Sequence, residues 1–133
     1  MTKGRLLELL LIFVGGGGGA LLRVLMEAPA WGPWMPANFL ACLLMGFSSA
    51  LVQQGFFAPR AASLWKALVH TGFLGGLSTF SVLSIAACVE ADGNLLYAHW
   101  RLLELLAGFC IAAVFGFGLG RFFVRIFPGA GAR

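Results

Sequence analysis

The sequence predicts an all-α membrane protein: one bundle of four transmembrane helices, the third of them broken at its centre. Hydrophobic residues make up 60% of the 133 residues and charged residues only 11%, whereas about a quarter of a soluble domain is charged. The mean hydropathy is +0.93. Four apolar stretches, at about 6–26, 37–57, 66–89 and 102–124, each supply the roughly 20 residues that a spanning helix needs. Because the connections are short, residues 1–133 are predicted to form a single integral membrane domain.

The first predicted span contains five consecutive glycines at 15–19 and a basic residue, Arg23. Gly15 and Gly19 form a G-x-x-x-G pair, which lets two helix backbones approach closely in lipid. Close helix packing is therefore the expected role of this run. Arg23 has two interpretations: an anchor that extends to the membrane surface, or a cation that concentrates anions at a pore mouth.

The second predicted span carries one strongly polar side chain, Asn38, two residues after Pro36. An amide inside a bilayer must find hydrogen-bond partners, because lipid offers none. A structural bond between helices and a role in a pore are equally compatible with this position.

The third predicted span is interrupted at residues 72–81, a run rich in glycine and hydroxyl residues. Backbone groups freed at such a break cannot face lipid, so they must be buried in protein or turned toward an ion or water. Ser81 and Ser84 share one helix face, and Phe80 lies beside the break. Phe80 has two interpretations: a residue that faces lipid or the core, or a ring whose positive edge favours a small anion. The run therefore predicts a permeation site.

The fourth predicted span has almost no polar residue before Arg121, and residues 103–117 contain no hydroxyl group. The three cysteines, Cys42, Cys88 and Cys110, lack the spacing of a metal site or of a disulfide framework, so they are expected to be packing residues. The sequence contains no nucleophile and base pair, phosphate loop or metal-ligand cluster. The chain is therefore not expected to be an enzyme.

Basic residues are distributed unequally between the two sides of the predicted bundle. Seven fall on the side that holds both termini: Lys3, Arg5, Arg60, Lys66, Arg121, Arg125 and Arg133. Only Arg23 and Arg101 fall on the other side, with Glu27, Glu90, Asp92 and Glu104. The positive-inside rule then predicts cytoplasmic termini. This topology explains the basic composition, so no nucleic-acid partner is expected.

Three segments resemble the CrcB/Fluc family of fluoride channels. Residues 72–81 are similar to that family's broken third-helix motif, and residues 16–23 to its G-x-x-G-A-x-x-R motif. Ala37 and Asn38, followed by Gly46, resemble its second-helix asparagine segment. The three segments occur in the family's order and at similar intervals.

The resemblance implies an antiparallel dimer of four-helix subunits in a prokaryotic plasma (inner) membrane, with two fluoride pathways and a structural sodium ion at the dimer centre. The sodium ligands would be the backbone carbonyls of Gly75 and Ser78, each contributed twice. Carbonyl oxygens are hard ligands, and glycine lets the backbone turn them inward. Fluoride would pass Asn38 and Phe80 and then follow hydroxyls, for which Ser81 and Ser84 are the candidates, with Arg23 near the path.

Two departures from the family pattern bear on function. Leu83 stands where the family has a second phenylalanine, and the fourth span lacks the family's hydroxyl residues. One hypothesis is a passive fluoride channel, formed with a second copy in the opposite orientation (dual topology). The alternative is a partner subunit of a heterodimer with an oppositely oriented paralogue, supplying mainly scaffold and sodium ligands. A proton-coupled drug exporter is disfavoured, because its carboxylate could only be Glu8 or Glu104, both near span ends.

Overall fold

The computed structural model describes residues 3–26 and 35–129, which are almost entirely helical. Helix α1 spans Lys3–Leu25 and α2 spans Met35–Gln53. The chain continues through α3 (Pro59–Trp65), a π-helical segment (Lys66–Leu74), α4 (Gly75–Leu77) and α5 (Phe80–Glu90). Helix α6, Leu95–Ile126, is the longest at 32 residues. Of the charged residues used to predict the topology, Glu27 and Arg133 lie outside the described residues.

Three of these helices are long and apolar enough to cross a membrane: Gly4–Leu25, Pro36–Gln53 and Leu95–Ile126. They correspond to the first, second and fourth predicted spans. Helix α6 begins seven residues before the predicted boundary at 102, and Asn94 caps it by accepting a hydrogen bond from the Tyr97 N–H at 3.2 Å. The predicted third span, 66–89, is built from several shorter pieces.

The backbone of residues 66–89 departs from the regular α-helix in two places, a π-helical segment and an extended break. In the π-helical segment the backbone hydrogen bonds join residues i and i−5 in place of i and i−4. At its end, the Gly75 N–H donates to the carbonyls of His70 and Gly72. The chain then leaves the helical conformation at only two residues, Ser78 (φ −84°, ψ 151°) and Thr79 (φ −151°, ψ 117°). Gly75 has an ordinary helical backbone (φ −65°, ψ −38°). The expectation that Gly75 provides an unusual backbone turn is therefore wrong.

The glycines of α1 pack directly against the backbone of the π-helical segment and α4. A methyl group added at Gly15 would lie 2.9 Å from the Phe73 nitrogen, and one at Gly19 would lie 2.8 Å from the Leu77 nitrogen. A methyl group at Gly76 would collide with the backbone of Gly16. The predicted close contact at residues 15–19 is therefore confirmed.

Helices α2 and α6 form a second pair that relies on small residues. A side chain at Gly46 would collide with the Ala113 carbonyl, and one at Gly116 with the Leu43 carbonyl. Where the two pairs meet, Ala37 and Ala41 of α2 are buried together with Leu74 and Leu77. Because the helices approach closely in both pairs, α2 lies directly beside the break at Ser78 and Thr79.

Candidate functional site

Asn38 holds the extended backbone of the break. Its side-chain Oδ1 accepts a hydrogen bond from the Thr79 N–H at 2.7 Å, and its Nδ2 donates to the Thr79 carbonyl at 3.2 Å. Asn38 is only 4% exposed, so this pair replaces bonds that water would otherwise make. The amide at the start of α2 is thus a structural partner of the break.

This pairing has a consequence for Gly75. In a continuous α-helix the Thr79 N–H would donate to the carbonyl four residues earlier, which belongs to Gly75. Here the Thr79 N–H donates to Asn38 Oδ1 instead, whereas the Ser78 N–H still donates to the Leu74 carbonyl at 3.0 Å. The break therefore releases the Gly75 carbonyl from that helical bond.

Arg23 reaches the same region from α1. Its guanidinium donates to the Ser78 carbonyl, with 3.5 Å between Nη1 and the oxygen. The contact is long, and Arg23 is only half-buried. It nevertheless places a permanent positive charge beside the break.

An open groove of about 300 Å³ lies between α2, the break, α5 and α6. One part of its wall is polar and is formed by Asn38, Ser78 and Thr79. The rest is apolar or weakly polar and is formed by Cys42, Phe80, Leu83, Leu106, Phe109, Cys110 and Ala113. The groove therefore combines hydrogen-bonding groups with a largely apolar wall.

Only two of the five residues predicted for the ion pathway line this groove, Asn38 and Phe80. Ser81 is exposed, and its Oγ lies 3.2 Å from the Thr79 Oγ1. Ser84 donates to the Phe80 carbonyl at 3.0 Å and lines a separate open depression with Ile85, Cys88 and Val89. The two serines lie three residues apart on α5, but neither lines the groove.

The groove includes residues that sequence reasoning did not select. Leu106, Phe109, Cys110 and Ala113 recur at helical spacing on α6, and Cys42 lies one turn after Asn38 on α2. That spacing is the signal that could have identified them. This spacing is a weak signal, because the flanking positions of α6 are equally apolar.

The oxygen ligands at the break are of the kind that a hard cation prefers. Within residues 3–26 and 35–129 no group of three or more His, Cys, Asp or Glu residues is arranged to hold a metal, whereas the carbonyl released at Gly75 is a hard oxygen ligand. The Ser78 carbonyl already contacts Arg23, but its second lone pair remains usable. One subunit thus offers two candidate carbonyls.

Both carboxylates considered for proton coupling have partners. Glu8 accepts a hydrogen bond from the Ser63 hydroxyl at 2.9 Å, and Glu104 pairs with Arg101 at 2.6 Å. Both are outside the groove described above. Their placement offers no support for a proton-coupled exporter.

Comparison with known proteins gives one consistent result. A family model described as "CrcB-like protein, Camphor Resistance (CrcB)" matches residues 10–119. This region includes Arg23, Asn38, the break and most of α6.

Individual relatives agree with the family match. A protein from Dichelobacter nodosus is 35% identical, with 83% of this chain and 93% of the relative covered. One from Serratia proteamaculans is 36% identical (84% and 92% covered), and one from Burkholderia cenocepacia is 39% identical (77% and 85% covered). Each is named "Fluoride-specific ion channel FluC". These are names of channels, in line with the expectation that this chain is not an enzyme.

Proposed function

Because this chain belongs to the CrcB family, we propose that it forms a passive, fluoride-selective channel that exports fluoride and lowers its concentration in the cell. The observation that carries the proposal is the position of Asn38, a buried amide that lines the groove beside the break. The names of the relatives indicate the ion.

Asn38 has one donor left for the ion. An amide nitrogen carries two hydrogens, and the bond to the Thr79 carbonyl uses one of them. The second hydrogen can donate to a fluoride ion in the groove, next to the hydroxyl residues Ser78 and Thr79. Such donors are necessary, because an ion that loses its water without replacement partners faces a prohibitive cost. The structural and pore roles of Asn38 are thus compatible.

The channel is proposed to be an antiparallel dimer in which residues 66–89 make the remaining membrane crossing. Helix α5 packs mainly on α6, and Thr71, Gly75 and Ser81 are exposed in a single subunit. Polar groups at these positions are unfavourable against lipid. A second copy that covers this surface would remove them from the hydrocarbon.

A structural sodium ion is proposed at the centre of that dimer, bound by the Gly75 and Ser78 carbonyls of both copies. The release of the Gly75 carbonyl supports this assignment. The charge of Arg23 is unfavourable for sodium binding, because it would lie within about 6 Å of a cation on the Ser78 carbonyl. At an effective dielectric constant of 20, this repulsion amounts to about 3 kcal/mol. The carbonyls of the second copy would have to outweigh this term.

A heterodimer is the second candidate. It is favoured by the seven-to-two distribution of basic residues, because a homodimer of opposed subunits needs one chain that inserts both ways. It is also favoured by the placement of Ser81 and Ser84 outside the groove. This chain would then sit in the inner membrane with cytoplasmic termini and serve mainly as scaffold and sodium ligand.

Growth of a bacterial strain without its own fluoride channel tests the proposal. Expression of this chain alone should restore growth in fluoride. The Asn38→Asp variant should not restore it, because aspartate can still accept from the Thr79 N–H but lacks the amide donors. If the membrane-inserted chain gives no protection, it is not a complete channel, and the heterodimer candidate stands.

A further inference from the structure

Phe109 is distinguished among the aromatic residues of α6 by its burial. It is 9% exposed and lines the groove, whereas Phe115, on the same helix, is 62% exposed. Phe109 therefore has its ring inside the protein, next to the site proposed for the ion.

Leu83 lies in the same groove and is 2% exposed. Leu83 lies three residues after Phe80 and has no aromatic ring. Helix α5 thus brings only Phe80 as an aromatic residue to the groove, and α6 brings Phe109. The wall that contains Leu83 gains an aromatic ring from a different helix.

The surroundings of Phe109 make an aromatic edge effective. Leu83, Leu106 and Ala113 form an apolar part of the groove wall that also contains Phe109, and electrostatic interactions are stronger in surroundings of low dielectric constant. The positive edge of a phenyl ring attracts a small anion. The thiols of Cys42 and Cys110, also in the groove, add weak donors.

We propose that Phe109 forms a fluoride-binding position in the groove and supplies the aromatic edge that Leu83 does not provide. This inference rests on the proposed channel function. It assigns to α6, which has no hydroxyl in residues 103–117, a direct contact with the ion.

The test measures fluoride efflux from liposomes that contain the full-length chain with pentafluorophenylalanine at position 109. This residue keeps the shape of the ring closely but reverses the charge of its edge. Efflux should fall about tenfold relative to phenylalanine. The same replacement at Phe115, which is outside the groove, is the matched control and should leave efflux unchanged.

A second pair of variants uses natural residues. Phe109→Leu should reduce efflux to a similar extent, and Leu83→Phe added to Phe109→Leu should restore much of it by returning a ring to the groove. If the unmodified chain conducts fluoride and pentafluorophenylalanine at 109 leaves the rate unchanged, Phe109 is not a binding position, while the channel function stands. If the unmodified chain itself conducts no fluoride, the proposed function fails and this inference fails with it.

Discussion

The side chain of Asn38 and the backbone of Thr79 form a two-bond pair across 41 residues of sequence, with distances of 2.7 and 3.2 Å. The pair satisfies both backbone groups of a residue that has left the helix. It also places Asn38 at the groove proposed to carry the ion. A single residue thereby connects the shape of the break with the chemistry of the proposed ion path.

Replacing Asn38 should therefore affect stability as well as transport. Asn38→Leu leaves the partly buried N–H and carbonyl of Thr79 without their side-chain partner, at a cost of about 2 kcal/mol. The midpoint of thermal unfolding in detergent should fall. Thr79→Ala is the control, because it keeps the backbone groups that Asn38 bonds. Equal midpoints for Asn38→Leu and the unmodified protein would show that the pair contributes nothing to the fold.

Two adjacent glycines should respond differently to alanine. A methyl group at Gly76 collides with the Gly16 backbone, whereas one at Gly75 lies 3.7 Å from its nearest neighbour, the His70 carbonyl. Gly76→Ala should destabilise the subunit by about 1–3 kcal/mol, the usual cost of overpacking. Gly75→Ala should leave the subunit folded, as judged by its circular dichroism.

The same Gly75→Ala variant reports on assembly. Gly75 is exposed in the single subunit, so a loss of dimer in crosslinking or size-exclusion experiments would place it at the interface. A Gly76→Ala protein as stable as the unmodified one would contradict the close packing of α1 on α4.

A buried hydroxyl should stabilise the other end of the bundle. The Trp65 indole N–H donates to the Ser48 Oγ at 2.6 Å, and that oxygen lies 2.8 Å from the His70 Nε2. Ser48→Ala should cost about 1–3 kcal/mol, because it removes a partner from both rings. The neighbouring Ser49→Ala is the comparison in thermal unfolding. Equal losses in the two variants would argue against a specific role for this network.

Orientation follows from the seven basic residues on the side of the termini and the two on the other. The chain expressed alone should insert mainly with its termini in the cytoplasm. Reporter tags on the C-terminus, one active in the cytoplasm and one outside, measure this directly. Comparable activity from both tags would indicate dual insertion and would make a heterodimer unnecessary.

The sequence predicts the polar part of the site well and the apolar part poorly. Asn38 and the run at 72–81 are conspicuous because polar groups are rare inside a membrane span. Phe109, in contrast, has the same residue type as the exposed Phe115, and only packing against α2 and α5 distinguishes them. A linear sequence does not specify how far each helix is rotated about its axis.

The same limitation explains the serines of α5. Ser81 and Ser84 share a face, as predicted, but neighbouring positions on a helix point about 100° apart. Leu83 lines the groove, whereas the Ser84 hydroxyl donates to the Phe80 carbonyl and Ser84 lines a different depression. The rotation of α5, which tertiary packing determines, therefore separates these hydroxyls from the path in the single subunit.

Fluoride efflux from liposomes that contain only this purified chain tests the central claim most directly. With a potassium ionophore to balance charge, we expect rapid release of fluoride and little release of chloride from the same vesicles. Equal release of the two anions would contradict selectivity for fluoride. Release of neither, from vesicles in which the protein is folded, would contradict the claim that this chain alone forms a fluoride channel.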